Sequence, residues 1–250
     1  MEIKRRPFQG VLNILNFNRH FYYYGILALI ILLALAYMFG LPTIISTLLI
    51  VGFAYGLLMP LIVSAYVYDF SDYYSLKWLD QFVEDTSKSY KVININAGFD
   101  ETSFLIKNKL QNSDLQVYDF YDQKLHTEPA IVRARKVSQV YPNTEEIRSN
   151  SIPQGDDSAD IVFLLSSAHE IRNFKEKVDF LKECHRTCRP DGKVIMVEHL
   201  RDLPNFIAFT IGFNHFFSSH VWRKAIDSAG FTSIQEKKFT PFMSIFKCTP

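Results

Sequence analysis

The sequence predicts an α/β protein: a doubly wound, mostly parallel sheet of seven strands, preceded by two transmembrane helices. Two observations carry this. From Phe21 to Tyr68 the chain has no Asp, Glu, Lys, Arg or His, and the run is broken near its middle by Gly40-Leu41-Pro42. From Asp69 onward, short apolar segments alternate with amphipathic ones, the pattern of strands and helices taken in turn.

The apolar run divides into Phe21 to Phe39 and Thr43 to Tyr66. A bilayer core takes about 20 apolar residues at about 1.5 Å rise each, so either stretch crosses it with some tilt. Lys4, Arg5, Arg6 and Arg19 precede the first span, and the turn between the spans carries no charge. Basic residues near short ends stay inside, which puts both termini and all that follows Asp69 on the cytoplasmic side of the cell membrane. Tyr22, Tyr23, Tyr24, Tyr66 and Tyr68 fit an aromatic belt on that side. A secretory signal peptide is the competing reading, with Lys4-Arg5-Arg6 as its basic region and Ala34-Leu35-Ala36 as its cleavage site. A second apolar span follows at once, which speaks against it. The expected division is residues 1–68, a basic segment and transmembrane hairpin, and 69–250, a cytosolic domain.

The chain has 27 basic and 26 acidic residues and a net charge of +1. That balance gives no strong field, and nucleic acid is not an expected partner. Cys184, Cys188 and Cys248 are an odd number with no disulfide framework, which suits a reducing cytosol. Cys184 and Cys188 lie four apart with His185 beside the first. Zinc sites use tighter pairs and a second half, so these thiols are read as buried and no metal is expected.

The elements follow in order. Ser75 to Ser89 reads as an amphipathic helix, with Leu76, Trp78, Leu79, Phe82 and Val83 on one side. Lys91 to Asn96 is a strand, Gly98 and Asp100 mark a turn, and Thr102 to Gln111 is a helix. Leu115 to Tyr118 is a strand ending at Asp119. Gln123 to Asn143 is mostly loop, with a short helix around Ala130 to Val140. Glu145 to Ile152 holds a short third strand. Ala159 to Ser166 is an uninterrupted apolar run of the kind found in buried parallel strands. Asn173 to Cys188 is a helix, and Arg189-Pro190-Asp191-Gly192 is a turn into the strand Lys193 to Val197. Trp222 to Ala229 is a helix closed by Gly230. Ser233 to Lys238 and Phe242 to Cys248 form an antiparallel pair.

Sheets of this kind bind ligands beyond the carboxyl ends of their strands. The candidate site residues therefore lie in the Asn96 to Ser103 loop, at Asp119, at Asn150, in Ser167 to Glu170, and at Glu198-His199. A nucleotide-like ligand needs close backbone approach after the first strand and a carboxylate after the second for two ribose hydroxyls. Asn94-Ile95-Asn96-Ala97-Gly98, with Asp119 about twenty residues later, meets that geometry.

On these residues the chain resembles class I S-adenosylmethionine-dependent methyltransferases across 69–250. Ile152-Pro153 through Asp156-Asp157-Ser158-Ala159-Asp160-Ile161 looks like that family's loop into its fourth strand. Cys188-Arg189-Pro190-Asp191-Gly192-Lys193-Val194 looks like the turn before its fifth. The terminal strand pair is similar to the reversed hairpin that separates these enzymes from dehydrogenases. Tyr68-Asp69-Phe70-Ser71-Asp72-Tyr73-Tyr74 resembles the leading segment whose tyrosine lies over the cofactor. The resemblance implies a Rossmann-like methyltransferase fold and S-adenosyl-L-methionine as cofactor. The candidates to bind it are Tyr73, Asn94, Asn96, Ala97, Gly98, Asp100, Asp119, Phe120, Asn150 and Ser167. The family carries an acid in its first strand and two or three glycines after it, whereas this chain has Asn94 and only Gly98. Asp100 or Glu101 is the proposed source of the missing charge, with Thr102 and Ser103 capping the next helix.

Methyl transfer needs alignment and, for a hydroxyl acceptor, a base. His169, just past the fourth strand, is the preferred catalytic base, Glu170 its orienting partner, and His199 the second choice. The phenylalanine-rich stretch Leu203 to Trp222 is too short to span a bilayer and reads as a lid or a membrane-dipping segment. With little chain left for an acceptor-binding domain, the expected partners are the lipid bilayer and a hydrophobic acceptor dissolved in it, methylated at a hydroxyl oxygen. Two other classes stay open: a non-catalytic membrane-anchored cofactor-binding scaffold, and a membrane-anchored NAD(P)-dependent oxidoreductase.

Overall fold

The structure, a computed structural model, describes residues 6–137 and 139–250. Of the basic residues before the first apolar helix, Lys4 and Arg5 lie outside that set. Two helices come first, α1 (Gln9–Met38) and α2 (Thr43–Ala65), joined through Gly40, whose positive φ of 61° makes the turn. Within them, Asn18–Met38 and Thr43–Phe70 are long and apolar enough to cross a membrane. Their apolar windows are only 6% and 11% buried, so neither serves as a core helix of the domain behind them.

Helix α1 starts three turns before the apolar run, and those turns dock onto the domain. The N–H groups of Gly10 and Val11 donate to the Asp69 carboxylate at 2.8 and 2.9 Å. Two of the donors that a helix start leaves open are thus satisfied, and the negative charge sits at the positive end of the helix dipole. Gln9 and Asn13 donate to Glu101 at 2.9 and 2.8 Å. A side chain on Gly10 would collide with Cβ of Tyr68, so the contact depends on glycine.

Seven strands form one sheet: β1 (Lys91–Asn96), β2 (Asp114–Asp119), β3 (Glu145–Glu146), β4 (Ala159–Leu165), β5 (Cys188–His199), β6 (Ser233–Lys238) and β7 (Met243–Thr249). Their order is β3-β2-β1-β4-β5-β7-β6. All pairs are parallel except β5 with β7 and β6 with β7. The helices after the hairpin are α3 (Ser103–Lys109), α4 (Pro129–Ala134), α5 (Phe174–Thr187), α6 (Leu203–Phe209) and α7 (Ser219–Ser228).

Both faces of the sheet are covered, which is why Val92 to Asn96 and Ile161 to Leu165 are continuously buried rather than alternating. One core joins Ile93, Ile95, Tyr118 and Phe120 to Phe180, Leu181 and Trp222. The other joins Val92, Phe163, Ile195 and Val197 to Leu76, Trp78 and Leu79. Each large side chain so buried contributes about 1.5–3 kcal/mol. The cysteines belong to the first core; burial, with nearby carboxylates adding, pushes the Cys188 and Cys248 thiols up to about 12.

Two expected elements take another form. Ser75 to Ser89 is not a full helix but a short 3₁₀ turn, Lys77–Gln81. Leu76 is left-handed at φ 53°, and Trp78 Nε1 donates to the Tyr73 carbonyl at 3.0 Å, so the chain wraps tightly to bury Leu76, Trp78, Leu79 and Val83. The apolar stripe is spent on a compact plug. The expected Arg189–Gly192 turn is drawn into β5 as a bulge: Ala159 pairs with Cys188, while Ile161 already pairs with Lys193. Gly192 permits this, since a Cβ there would lie 2.8 Å from Cys188 Sγ and 2.9 Å from the Asp160 carbonyl.

Candidate active site

The carboxyl end of β1 continues through Ala97 into Gly98, at φ 82°. The end of β2 brings Asp119 opposite Asn96, its register partner. Around them Asn96, Gly98, Asp100 and Asp119 line one small cavity together with Arg135, Tyr141 and Thr144. Asn96 Oδ1 accepts from the Gly98 N–H at 2.6 Å, while its buried Nδ2 has no hydrogen-bond partner among the described residues. A bare backbone at Gly98, a carboxylate at Asp119 and an unpartnered donor at Asn96 are a donor and acceptor set that fits the ribose end of S-adenosylmethionine.

Sequence reasoning missed Arg135, just past α4. Its Nη1 lies 2.5 Å from Asp119 Oδ2 and donates to the Ala97 carbonyl at 2.8 Å, and its guanidinium lies 4.3 Å from the Tyr121 ring centre. The same nitrogen fills the space where a Gly98 side chain would point. The cavity is about 70 Å³, against several hundred for a typical small-molecule site. For a cofactor to use Asp119, Arg135 has to move aside. An arginine in a stretch with no clear period carried no signal of this.

The remaining cofactor candidates divide. Asn94 donates to Thr102 Oγ1 and Ser103 Oγ at 3.2 and 2.7 Å, and its buried Oδ1 has no partner among the described residues. Asp100, not Thr102, caps α3: its Oδ1 accepts from the Thr102 and Ser103 N–H groups at 3.0 and 2.9 Å. Burial raises the Asp100 pKa, against those hydrogen bonds. Glu101 faces α1 and also accepts from Tyr74 at 2.6 Å. Ser167 donates to the Ile95 carbonyl at 2.8 Å. Tyr73 is buried, with its hydroxyl 2.9 Å from Ser166 Oγ. Phe120 and Asn150 lie away from the Gly98 cavity, on a separate groove with His126 and Glu176. Phe120 packs there on Phe180 at 5.1 Å.

Beyond β4 and β5 is a second cluster. His169 Nδ1 lies 2.7 Å from Glu198 Oε2, and its Nε2 lies 3.4 Å from Glu170 Oε1. Glu198 is thus the closer partner and grips the ring from below, while Glu170 faces the far nitrogen. His215, from the turn after α6, reaches in with its Nε2 3.8 Å from the same Glu170 oxygen and its Nδ1 3.5 Å from Glu128. Burial lowers the His169 pKa, but the Glu198 charge and the hydrogen bonds to both glutamates outweigh it and raise it to about 10. Burial and the His169 charge depress His215 to about 3. His199 sits apart, with both nitrogens engaged: Nε2 at 3.0 Å from the Tyr68 hydroxyl, and Nδ1 at 3.1 Å from Asn205 Oδ1 and 3.0 Å from the Phe242 carbonyl. Stacked on Phe216 at 4.8 Å and with burial pulling its pKa down to about 4, it ties the hairpin's end to α6 and to the segment before β7.

Residues 118–196 match a family model described as a methyltransferase domain. No curated protein matches the chain. Among solved structures, a putative O-methyltransferase from Nostoc punctiforme superposes with a TM-score of 0.52 at 15% identity, covering 71% of this chain and 56% of that one. A protein from Pyrococcus horikoshii gives 0.51 at 16%, covering 69% and 86%. Human N-acetylserotonin methyltransferase in complex with S-adenosylmethionine gives 0.50 at 13%, covering 77% and 54%.

A parallel sheet that ends in the reversed β7, with a bare glycine and a carboxylate at its first two strand ends, is the class I methyltransferase fold. The family match falls within that fold, so the stretch from β2 to β5 is similar to a methyltransferase domain.

Proposed function

We propose that this chain is an S-adenosylmethionine-dependent methyltransferase that methylates a hydroxyl oxygen on a hydrophobic acceptor dissolved in the membrane, with its domain on the cytoplasmic face. One observation carries the reading: the wall that bears His215 is built against the apolar hairpin. Tyr55 of α2 donates to the Ile207 carbonyl of α6 at 2.5 Å. Leu203, Phe206, Ile207 and Ile211 are exposed along the same wall. A large uninterrupted apolar surface of this kind marks contact with a membrane or another apolar partner. An acceptor leaving the bilayer along this wall meets the His169 cluster without crossing water.

When bound, S-adenosylmethionine supplies an activated methyl group, whose bond to sulfur breaks as the bond to the acceptor oxygen forms, the electron pair staying on sulfur. The chain's residues do the rest. Gly98 and Asp119 hold one end of the donor once Arg135 has withdrawn. The cluster of His169, Glu170, Glu198 and His215 is where the hydroxyl gives up its proton, which passes on to solvent. Phe216 lies edge-on to His169 at 6.5 Å and gives that side of the cluster an apolar wall.

The test is incubation of full-length protein in lipid bilayers with labelled S-adenosylmethionine and extracted membrane lipids. A labelled product in the lipid phase, stable to mild base as an ether is, supports the reading. Cofactor binding without product from any extract favours the non-catalytic scaffold. Label on nitrogen or carbon overturns the hydroxyl assignment alone.

A further inference from the structure

We propose that His169, Glu170 and His215 hold a divalent transition-metal ion of the zinc type. The ligand atoms of these three residues all lie within 4.8 Å of one another. Atoms bound about 2.0–2.2 Å from a tetrahedral ion stand about 3.3–3.6 Å apart. The separations of 3.4 Å for His169 Nε2 to Glu170 Oε1 and 3.8 Å for His215 Nε2 to the same oxygen are close to that. The remaining separation, between the two imidazoles, is no more than 4.8 Å and closes as the ion binds.

Two independent features point to an ion rather than to chance crowding. Glu170 is 4% exposed, yet its Oε2 has no hydrogen-bond partner among the described residues. A buried carboxylate oxygen left this way is costly unless something binds it. Both histidines also have a carboxylate on the nitrogen away from the centre, Glu198 at 2.7 Å from His169 Nδ1 and Glu128 at 3.5 Å from His215 Nδ1. Such backing fixes the tautomer and strengthens the imidazole as a ligand.

The third ligand comes from a turn, yet it is pinned. Arg172 donates to the His215 carbonyl at 2.5 Å, and Arg201 donates to the Asn214 and Phe216 carbonyls at 2.6 and 2.8 Å. Two imidazoles and a carboxylate suit zinc or cobalt better than magnesium, which prefers oxygen alone and an octahedron. Three protein ligands leave a fourth position open, as catalytic rather than structural sites do.

The role of the ion rests on the proposed methylation of a hydroxyl; its binding does not. The acceptor oxygen takes the open position, and coordination lets the hydroxyl lose its proton to solvent at neutral pH. His169 then acts as a ligand and Glu198 as its positioning residue.

The experiment is titration of metal-stripped, full-length protein in detergent with Co²⁺ alone, followed by visible absorption, with Zn²⁺ as competitor. One equivalent giving tetrahedral cobalt bands, displaced by Zn²⁺, is the expected result. His215→Ala, at a ring 23% exposed at the end of a turn, abolishes the bands; Glu198→Gln weakens binding about 10–100-fold with the bands retained. The Cys184→Ser and Cys188→Ser variants bind as the parent does. Absent or non-stoichiometric cobalt, or bands unchanged in His215→Ala, overturns the site. Methyl transfer that continues without cobalt binding sinks only this inference, whereas stoichiometric cobalt with no methyl product sinks only the proposed function.

Discussion

At the ends of β1 and β2 the groups that meet, Gly98 and Asp119, are separated by a single helix and strand. At the ends of β4 and β5 the groups that meet come from three separate segments, His169 and Glu170 from the turn after β4, Glu198 from the end of β5 and His215 from the turn after α6, and Glu128 adds a fourth. The first end is a pattern of spacing, and the second is a product of packing. The first is also closed by its own chain through Arg135, while the second lies beside a helix, α6, that the hairpin touches through Tyr55. The end at Gly98 and Asp119 is encoded locally, whereas the end at His169 is assembled from segments far apart in the chain.

The comparison breaks most sharply at His169. His169→Ala is expected to lower turnover by about 10²–10⁴-fold while S-adenosylmethionine affinity, measured by calorimetry, stays within about twofold. A matching loss of affinity would mean that the two ends are not separable. Asp119→Ala is the mirror image: loss of a charged hydrogen-bond acceptor is worth about 1.5–3 kcal/mol, or about 10–100-fold in cofactor affinity. Unchanged calorimetry for this variant removes Asp119 from the cofactor site.

Arg135→Ala sharpens the contrast. The side chains of this pair are 27% and 10% exposed, so solvent screens the attraction, and freeing Asp119 is expected to tighten the cofactor by about three- to tenfold. Weaker binding instead makes Arg135 a ligand for the cofactor rather than a plug. The smallest effect is at the hairpin junction. Gly10→Ala forces α1 off Tyr68 at about 1–3 kcal/mol, seen as a lower midpoint of thermal unfolding in detergent. Cofactor affinity is expected to hold, and a drop of more than about twofold would couple the hairpin to the Gly98 end.

Much of the fold was legible because its periods are local. The apolar run, the buried run at Ala159–Leu165, the helix beginning at Asn173, and Gly230 closing α7 at φ 96° each report a short-range requirement. The stretch Ser75–Ser89 misled because a helical stripe and a tight apolar plug need the same residues, and only the sheet beneath selects the plug. His199 looked like His169 in sequence, each just past a strand. Tyr68, Asn205 and the Phe242 carbonyl, all distant in the chain, take up both its nitrogens.

The sequence by itself determined the apolar hairpin, the alternating strands and helices, and the glycine and carboxylate at the first two strand ends, since periodicity, turn chemistry and short spacing are properties of neighbouring residues. Tertiary structure alone decided that Arg135 enters the Gly98 cradle, that Glu198 rather than Glu170 grips His169 Nδ1, and that His215 completes the cluster at the ends of β4 and β5. Those contacts join residues separated by many intervening positions. Which of them form depends on how the sheet and its covering helices pack, and no local pattern records that.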